Sequence, residues 1–399
     1  MKNDRLRREL YESILSMKKI NTHCHHMSHT FYPEIGLQEI FQSSYVGWCH
    51  HPCRTREERA RLFDAVRDRS YYIWLEKSLR EIYGLEEPLN EDNWDAVDAL
   101  VREADRADRS FTRLRTLCGY EHVIQDCYWN YGDDLGDSEL FTPTFRINIF
   151  LNGFDREGVD RDGCSITKYI PEPIRDADEY VAAMAAVIAE KQRKGCVALK
   201  CASAYERGLD FYPVTKERAD VALQRPLSEL TPGNIADFQS YIFYKLCDIA
   251  AARGLPFQVH TGLGQIENTR ALCLAKAIKD HPSTRFVLFH LSFPYIDDVI
   301  ALAHNFENVY PDICWVPLLS YNTAVDAISR LLDTVNSDKL CWGCDTWTAE
   351  ESYGAVLAMA HVLSVALTQR VSEGFMTPER AKEICRRILY ENAKKLYQL

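Results

Sequence analysis

Residues 285–290 read Arg285-Phe286-Val287-Leu288-Phe289-His290, an apolar run that ends in a histidine. Consecutive apolar residues without alternation are typical of a parallel strand that is buried on both faces. Seven other β-type runs are separated by turns and helical patterns, and they cover residues 19–23, 122–126, 145–150, 196–200, 256–260, 308–314 and 339–343. Eight strands that alternate with helices predict an α/β fold, a (β/α)8 TIM barrel.

Helical patterns fill the gaps between these strands. The clearest covers 233–253, where Thr231 is the expected N-cap, Pro232 takes the first helical position and Gly254 ends the helix. The others cover 178–194, 267–280, 295–305 and 322–335. A doubly wound open sheet is the structural alternative, but no GxGxxG motif follows a strand to support it.

The regular spacing fails between His26 and Glu121, which are separated by 94 residues. A βα loop needs far fewer, and the segment contains helix-like stretches at 54–69, 71–83 and 94–109. We therefore expect one barrel domain over residues 1–399, with a helical insertion at 27–121 that lies over the barrel mouth. Residues 351–399 are expected to supply the eighth helix and closing helices.

Composition excludes several classes of protein. The chain of 399 residues has 47 basic and 58 acidic residues, so its net charge is −11. This negative charge argues against sequence-independent nucleic-acid binding. The start is charged and leads into no apolar segment, so the 14 cysteines are expected to be reduced thiols in a cytoplasmic protein. The apolar stretch 353–367 is too short to span a bilayer and predicts a buried helix. We expect a small-molecule substrate as partner and no membrane partner. A homo-oligomer is expected only because most soluble oligomers are homo-oligomers.

Polar residues stand at the ends of the predicted strands. His23 and His25, at positions i and i+2, share one face of the first strand. The remaining members of this set are Lys200, His260, His290 and Asp345, which end or follow strands four, five, six and eight. Each has an ordinary structural explanation by itself, such as a buried imidazole or a helix cap. Because a barrel gathers its strand ends at one face, the joint placement predicts a divalent-metal site of imidazoles and a carboxylate.

This ordered set of residues resembles the amidohydrolase superfamily of metal-dependent hydrolases, over the whole chain. The motifs Gln258-Val259-His260-Thr261-Gly262 and Trp342-Gly343-Cys344-Asp345 are similar to its amidohydrolase-related branch. The start, Asn21-Thr22-His23-Cys24-His25-His26, is also similar to uronate isomerases of the same superfamily. The resemblance implies a barrel with a metal site, and it leaves open hydrolysis, nonoxidative decarboxylation or isomerisation.

Two positions depart from the family pattern. Thr22 precedes the His-x-His motif, where the family often has an aspartate nearby. Lys200 occupies the place at which binuclear members carry a carboxylated lysine between two metals. An unmodified Lys200 would instead repel a second cation and bind a substrate anion, so a single metal is expected.

The preferred interpretation is a hydrolase of a small, carboxylate-bearing amide, ester or lactone. One divalent ion, for which zinc is the first choice by its ligands, is expected on four side chains: His23, His25, His260 and Asp345. Asp345 would also move the proton, and His290 would orient water or stabilise the developing oxyanion. The alternatives are a decarboxylase or uronate-type isomerase on the same site, and a catalytically silent binding protein.

Substrate-binding residues are expected on the loops at the barrel mouth. Tyr205 and Arg207 follow Lys200 in a polar loop, and Arg207 is suited to hold a carboxylate bidentately. Trp48 lies in an aromatic and histidine-rich stretch at the start of the predicted insertion. These three residues complete the predicted site.

Overall fold

A computed structural model describes residues 2–27, 35–105 and 110–399, without the side chains of residues 2, 105 and 110. In this part of the chain, seven parallel strands form one sheet whose spatial order follows the chain order. The strands are β1 (Lys19–Cys24), β2 (Tyr120–Gln125), β3 (Phe141–Arg146), β4 (Ala198–Cys201), β5 (Phe257–His260), β6 (Phe286–Phe289) and β7 (Val309–Pro311). Every residue of β1, β4, β5 and β6 is buried, which is the reason their sequences lack alternation.

Helices separate consecutive strands, except β2 and β3, which a loop joins, and this alternation makes the structure an α/β fold. They are α1 (Lys2–Ser16), α2 (Leu37–Gln42), α3 (Arg56–Val66), α4 (Ser70–Tyr83), α5 (Trp94–Asp105), α6 (Ser110–Thr116), α7 (Asn148–Leu151), α8 (Ala177–Arg193), α9 (Lys216–Gln224), α10 (Pro232–Arg253), α11 (Ala275–Asp280), α12 (Ile296–Asn305), α13 (Val316–Leu319), α14 (Tyr321–Thr334), α15 (Ala349–Ser372), α16 (Pro378–Arg386) and α17 (Asn392–Tyr397). Helix α10 begins and ends as its sequence indicates: the Asn234 amide donates to Thr231 Oγ1 (3.2 Å), and Gly254 adopts a φ of 64°.

The third predicted strand is wrong in position. Residues 145–150 were expected to be extended, but β3 is Phe141–Arg146 and the second half of that apolar run forms α7. All four residues of α7 are buried. A short run that is buried on every side has no periodicity to distinguish a strand from a helix, and this ambiguity misplaced the strand.

The segment expected to be the eighth strand does not form a regular one. Asp312 and Cys341 make a single parallel bridge, while the Asp345 amide donates to the carbonyl of His23 (2.9 Å). This segment approaches β1 so closely that a Cβ at Gly343 would lie 2.6 Å from the His23 amide nitrogen. The segment is therefore hydrogen bonded both to the β7 side and to β1, through scattered bonds instead of a continuous ladder.

The described residues between β1 and β2 form helices α2 to α6 and a 3₁₀ turn, Tyr45–Cys49, joined by loops. Fifteen of them form a separate buried apolar cluster that includes Phe41, Leu75 and Trp94. Residues 28–34 and 106–109, which belong to the predicted insertion 27–121, lie outside the described residues. The position of this segment as an insertion over the mouth stays a prediction.

Helix α15 is long and apolar enough to cross a membrane by composition alone. However, 72% of its most apolar window is buried inside the fold, where it packs against α1, α4 and α14. It extends the buried helix expected at 353–367. All cysteines in the described residues are free thiols.

Candidate metal centre and its cavity

The structure brings the predicted strand-end residues together at the carboxyl ends of the strands. His23 lies in β1 and His25 directly follows it, while Lys200 comes from β4 and His260 from β5. His290 follows β6, and Asp345 follows the irregular eighth segment. All six side chains are buried, with at most 7% of any residue exposed.

Asp345 lies at the centre of this group. Its Oδ1 is 3.1 Å from His25 Nε2 and 3.5 Å from His23 Nε2, and its Oδ2 is 3.8 Å from His290 Nε2. Burial alone would raise the pKa of Asp345, but positive charge on the His23 and His25 rings, when those rings carry a second proton, outweighs this effect and holds that pKa well below its usual range. The group is therefore a carboxylate.

The geometry of His25 fits a cation between its ring and Asp345. Its Nδ1 is 2.7 Å from the carbonyl oxygen of Asp126, so Nδ1 carries the hydrogen and donates it. In the neutral ring, Nε2 then presents a lone pair to the Asp345 carboxylate, which is also a lone-pair donor. A positive ion between these two atoms would turn a repulsive contact into two favourable ones.

His23 supports the same interpretation. Its Nδ1 is buried and has no hydrogen-bond partner among the described residues. Burial and the neighbouring Lys200 ammonium lower the pKa of His23 well below its ordinary value, which favours the neutral, ligating imidazole. Ligand atoms of His23, His25 and Asp345 all lie within 4.8 Å of one another.

His260 and His290 form a pair beside this group. His260 Nδ1 lies 2.9 Å from His290 Nε2, while His260 Nε2 contacts the carbonyl oxygen of Leu263. Both nitrogens of His260 therefore face other partners, so the expected fourth ligand is near the centre but turned away from it. Burial lowers the pKa of His290 to about 4.

Lys200 lies close to His23, with its Nζ 3.3 Å from His23 Nε2. Burial lowers the pKa of Lys200 to about 8, so the amine holds its proton weakly for a lysine. Its Nζ also lies 4.1 Å from the centre of the Phe289 ring. A cation is thus fixed at the base of the cavity, beside the candidate metal ligands.

Three residues around the centre have left-handed backbones: His290 (φ 63°), Trp315 (φ 67°) and Asp345 (φ 59°). Such a conformation costs a non-glycine residue about 1–3 kcal/mol and persists only where the surroundings enforce it. Here the Trp315 amide donates to the carbonyl of Gly343 (3.2 Å), and the Asp345 amide donates to that of His23. These backbone hydrogen bonds therefore fix the direction of the Asp345 carboxylate.

A cavity of about 220 Å³ opens above these residues. Its lining includes His23, His25, Lys200, His260 and Asp345, and His290 lies beneath it against His260. The remaining lining residues are Tyr45, Trp48, Tyr128, Arg146, Asn148, Arg161, Asp162, Ala202, Tyr205, Glu206 and Trp347.

Two of the predicted substrate residues line this cavity and one does not. Tyr205 packs 4.4 Å from the His260 ring, and Trp48 lies at the rim with half of its surface exposed. Arg207 is outside the lining: its guanidinium donates to Gln239 Oε1 (2.7 Å) and stacks on the ring of Phe211. Its role in substrate binding stays a prediction.

The sequence reasoning missed two arginines of the cavity, Arg146 and Arg161. Arg146 makes a buried ion pair with Asp126 (2.6 Å) and another with Asp162 (2.6 Å). Arg161 donates to the carbonyl oxygen of Tyr205 (3.0 Å), and no carboxylate partner is found for it in the described parts of the chain. Arg146 ends β3, so correct placement of that strand would have found it, but the loop that carries Arg161 has no periodic signal.

Comparisons with known proteins agree on family and fold. Residues 175–399, more than half of the chain, match the amidohydrolase family. The chain is 31% identical over 150 residues to protein fluG of Emericella nidulans, a match that spans 36% of this chain and 17% of fluG.

Two solved structures show the same fold at low identity. A uronate isomerase from Thermotoga maritima has a TM-score of 0.81 at 15% identity, covering 98% of this chain and 97% of that one. A protein described as a metal-dependent hydrolase, from Lactobacillus casei ATCC 334, has a TM-score of 0.71 at 16% identity with the same coverage. These two likenesses concern the fold, and the family match over more than half of the chain shows that the chain belongs to the amidohydrolase family.

Proposed function

We propose that the protein is a metal-dependent hydrolase of a small, carboxylate-bearing amide, ester or lactone. The observation that carries the proposal is the 3.1 Å contact between Asp345 Oδ1 and His25 Nε2, a ring whose other nitrogen is committed to a carbonyl. Two acceptors held face to face in a buried site indicate a cation position. The family membership and the metal-dependent neighbour support a divalent ion there.

His23, His25 and Asp345 would hold the ion, and His260 would complete the set after a rotation that frees one of its nitrogens. Two or three imidazoles with one carboxylate are a ligand set that zinc commonly takes, so we propose zinc. When bound, such an ion supplies Lewis-acid chemistry, because it polarises a carbonyl oxygen and eases the ionisation of water.

The proton-transfer work would fall on Asp345 and His290. Asp345 is ionised, so its Oδ2 can accept a proton from the attacking water and pass it to the leaving group. His290 lies 3.8 Å from that oxygen and is neutral, with Nδ1 3.2 Å from the carbonyl of Cys314. Because the Cys314 carbonyl keeps the ring hydrogen on Nδ1, the Nε2 atom would accept a hydrogen bond from the water and orient it, whereas stabilising negative charge on the substrate oxygen would need a second proton on this ring.

The cavity favours a small anionic substrate. Its volume of about 220 Å³ is below the range of drug-sized pockets, which begins near ~300 Å³. Lys200 lies at its base and Arg161 at its side, the latter without a carboxylate partner among the described residues. A guanidinium matches the two oxygens of a carboxylate, so Arg161 is the proposed carboxylate-binding residue.

We also propose that residues 341–345 close the sheet as the eighth member of a (β/α)8 barrel in one domain, 1–399. The bridge from Cys341 to Asp312 and the Asp345–His23 hydrogen bond support this closure. The insertion 27–121 would then cover the mouth, because Tyr45 and Trp48 from this segment line the cavity.

An isomerase of uronate type is the second candidate. The likeness to the uronate isomerase extends over nearly the full length of both chains, although at 15% identity it concerns the fold. A small cavity with two cations would also accept a hexuronate. A decarboxylase on the same residues is the remaining alternative, and CO2 release would identify it.

The first experiment measures metal content and turnover together. The variant His23→Ala should contain one equivalent of divalent metal less than the wild type, and it should have no activity. His304→Ala is the matched control, because His304 is on the surface of α12 and bonds only the carbonyl of Thr334 in the described structure. Full metal occupancy in His23→Ala would refute the ligand assignment. Activity is assayed against carboxylate-bearing lactones, amides and esters beside uronates, and ketose formation without hydrolysis would favour the isomerase.

A further inference from the structure

A second group of potential metal ligands lies behind β1, on the other side of the strand from the catalytic histidines. It consists of Cys24, His26 and Cys344, whose ligand atoms all lie within 4.8 Å of one another. The residues are 0%, 2% and 1% exposed, respectively, and the two sulfur atoms are 3.3 Å apart. This cysteine–histidine group contacts Ser352 of α15, so it lies between the sheet and the helix layer.

The ring of His26 is oriented for ligation. Its Nδ1 lies 3.3 Å from the carbonyl oxygen of Trp347, an acceptor that requires the ring hydrogen on Nδ1. Its Nε2 therefore carries a lone pair, and this atom faces the group, 3.2 Å from Ser352 Oγ. A backbone carbonyl that fixes the tautomer of a ligating imidazole is the usual outer partner in metal sites.

The surroundings of Cys344 are suited to a negatively charged sulfur. Asn21 Nδ2 donates to its Sγ (2.8 Å), and the hydroxyls of Thr346 and Ser352 lie 3.0 Å and 3.4 Å from it. A thiol that only fills space in a core needs no such set of polar groups. Burying these groups without hydrogen-bond partners would cost free energy. Cys344 therefore lies among polar groups and beside the second sulfur, which distinguishes it from a thiol in an apolar core.

We propose that Cys24, His26 and Cys344 bind a second, structural metal ion of the zinc type. Two thiolates and one imidazole are ligands that zinc takes in structural sites. Sulfurs ~2.3 Å from one ion at a tetrahedral angle lie about 3.8 Å apart, so the pair, now 3.3 Å apart, would separate by about 0.5 Å. The Thr346 and Ser352 hydroxyls, 2.6 Å apart, face the remaining side. On binding, two sulfur–metal bonds form and both thiol protons leave to solvent.

The position of this ion would give it a defined task. Cys24 lies between His23 and His25 in the chain, and Cys344 directly precedes Asp345. An ion that joins the two cysteines would hold β1 against the eighth segment, in addition to the backbone hydrogen bonds from Asp345 to His23 and from His25 to Thr346. It would thereby fix the spacing of the catalytic ligands without touching the substrate. This proposal does not depend on the reaction catalysed.

Cobalt substitution of the full-length protein tests this site separately from the catalytic one. The protein is stripped with a chelator under reducing conditions and refilled with Co2+, and a thiolate-to-cobalt charge-transfer band in the near ultraviolet is expected in the wild type. Cys24→Ser and Cys344→Ser should each lose that band and one of two cobalt equivalents. His23→Ala should lose the other equivalent and keep the band.

Two control variants make the test specific. Cys247→Ser replaces a buried thiol on α10, and Cys314→Ser replaces the thiol grouped with His290 and Asp345, and both should keep the band. A wild-type spectrum without a thiolate band would overturn the proposal, even if the cysteine variants fail to fold. A band that disappears with Cys314 instead of Cys344 would overturn it equally. Neither result would affect the proposed hydrolase activity, which depends on the His23 site.

Discussion

Replacing Asp345 with asparagine would separate proton transfer from metal binding. The substitution Asp345→Asn is not expected to change the local backbone conformation, because the backbone there is held by the hydrogen bond to the His23 carbonyl and not by the carboxylate. The amide keeps one oxygen in the position that lies 3.1 Å from His25 Nε2. It loses the negative charge and the basic oxygen that faces His290. Metal should therefore be retained at least in part.

Turnover should fall by ~10²–10⁴-fold, the range for loss of a general acid–base group. At 1.36 kcal/mol for each tenfold change, this corresponds to a barrier about 2.7–5.4 kcal/mol higher. The imidazoles around Asp345 keep it ionised in the folded protein, so the wild-type enzyme has this base available throughout the neutral range. The wild-type rate should rise with pH through one ionisation, which would then belong to the water.

The assay is a matched measurement of metal content and of turnover for wild type and Asp345→Asn. Asp312→Asn is the control: burial raises the pKa of Asp312 to about 7, so an amide resembles the protonated acid that is already populated. Its turnover should stay within a few-fold of wild type. If Asp345→Asn keeps turnover within a few-fold at full metal occupancy, Asp345 is only a ligand. His290 would then be the residue that moves the proton.

Three further predictions concern other parts of the molecule. Arg161→Gln should raise KM for a carboxylate substrate by ~10-fold or more while kcat changes little, whereas Arg207→Gln should leave both nearly unchanged; the reverse result would support the sequence-based choice of Arg207. Stripping the metal with a chelator should abolish turnover, and added zinc should restore it in wild type but not in His23→Ala. Hydrogen bonds from Lys18 and Tyr390 lower the pKa of Glu121 to about 2. The substitution Glu121→Gln should therefore reduce the free energy of unfolding by about 1–2 kcal/mol at pH 7. Because this contribution is present above pH 4.5 and disappears as the pH falls towards 2, denaturant titrations should show the gap from wild type shrinking below pH 4.5.

The site could be predicted from the sequence as far as strand ends determine it. His23 and His25 share a face through the two-residue period of a strand, and parallel strands carry their ends to one edge of a sheet. Those two rules were enough to bring His260, His290 and Asp345 near the same point. They do not determine ring orientation, so the turn of His260 towards Leu263 was outside their reach.

The cavity wall was less predictable for a physical reason. Arg207 was selected because it follows Lys200 closely in the chain, yet its guanidinium packs on Phe211 away from the cavity. Arg161 reaches the cavity from a long loop after β3, and loop residues have no period from which a direction can be inferred. Of the two cavity cations, Lys200 could be placed from its strand end, whereas Arg161 is positioned by the tertiary structure alone.

The contact between β1 and the segment that ends at Asp345 also bears on how the protein is made. His25 and Asp345 are 320 residues apart in the chain, so a ribosome-bound intermediate that lacks Asp345 has only the histidines of the proposed ligand set to offer an ion, without its carboxylate. Because synthesis runs from the amino end, the strands that carry the histidines are made before this carboxylate exists. Capture of the ion by the complete ligand set would therefore follow the synthesis of Asp345, and the metal would act on strands that have already left the ribosome.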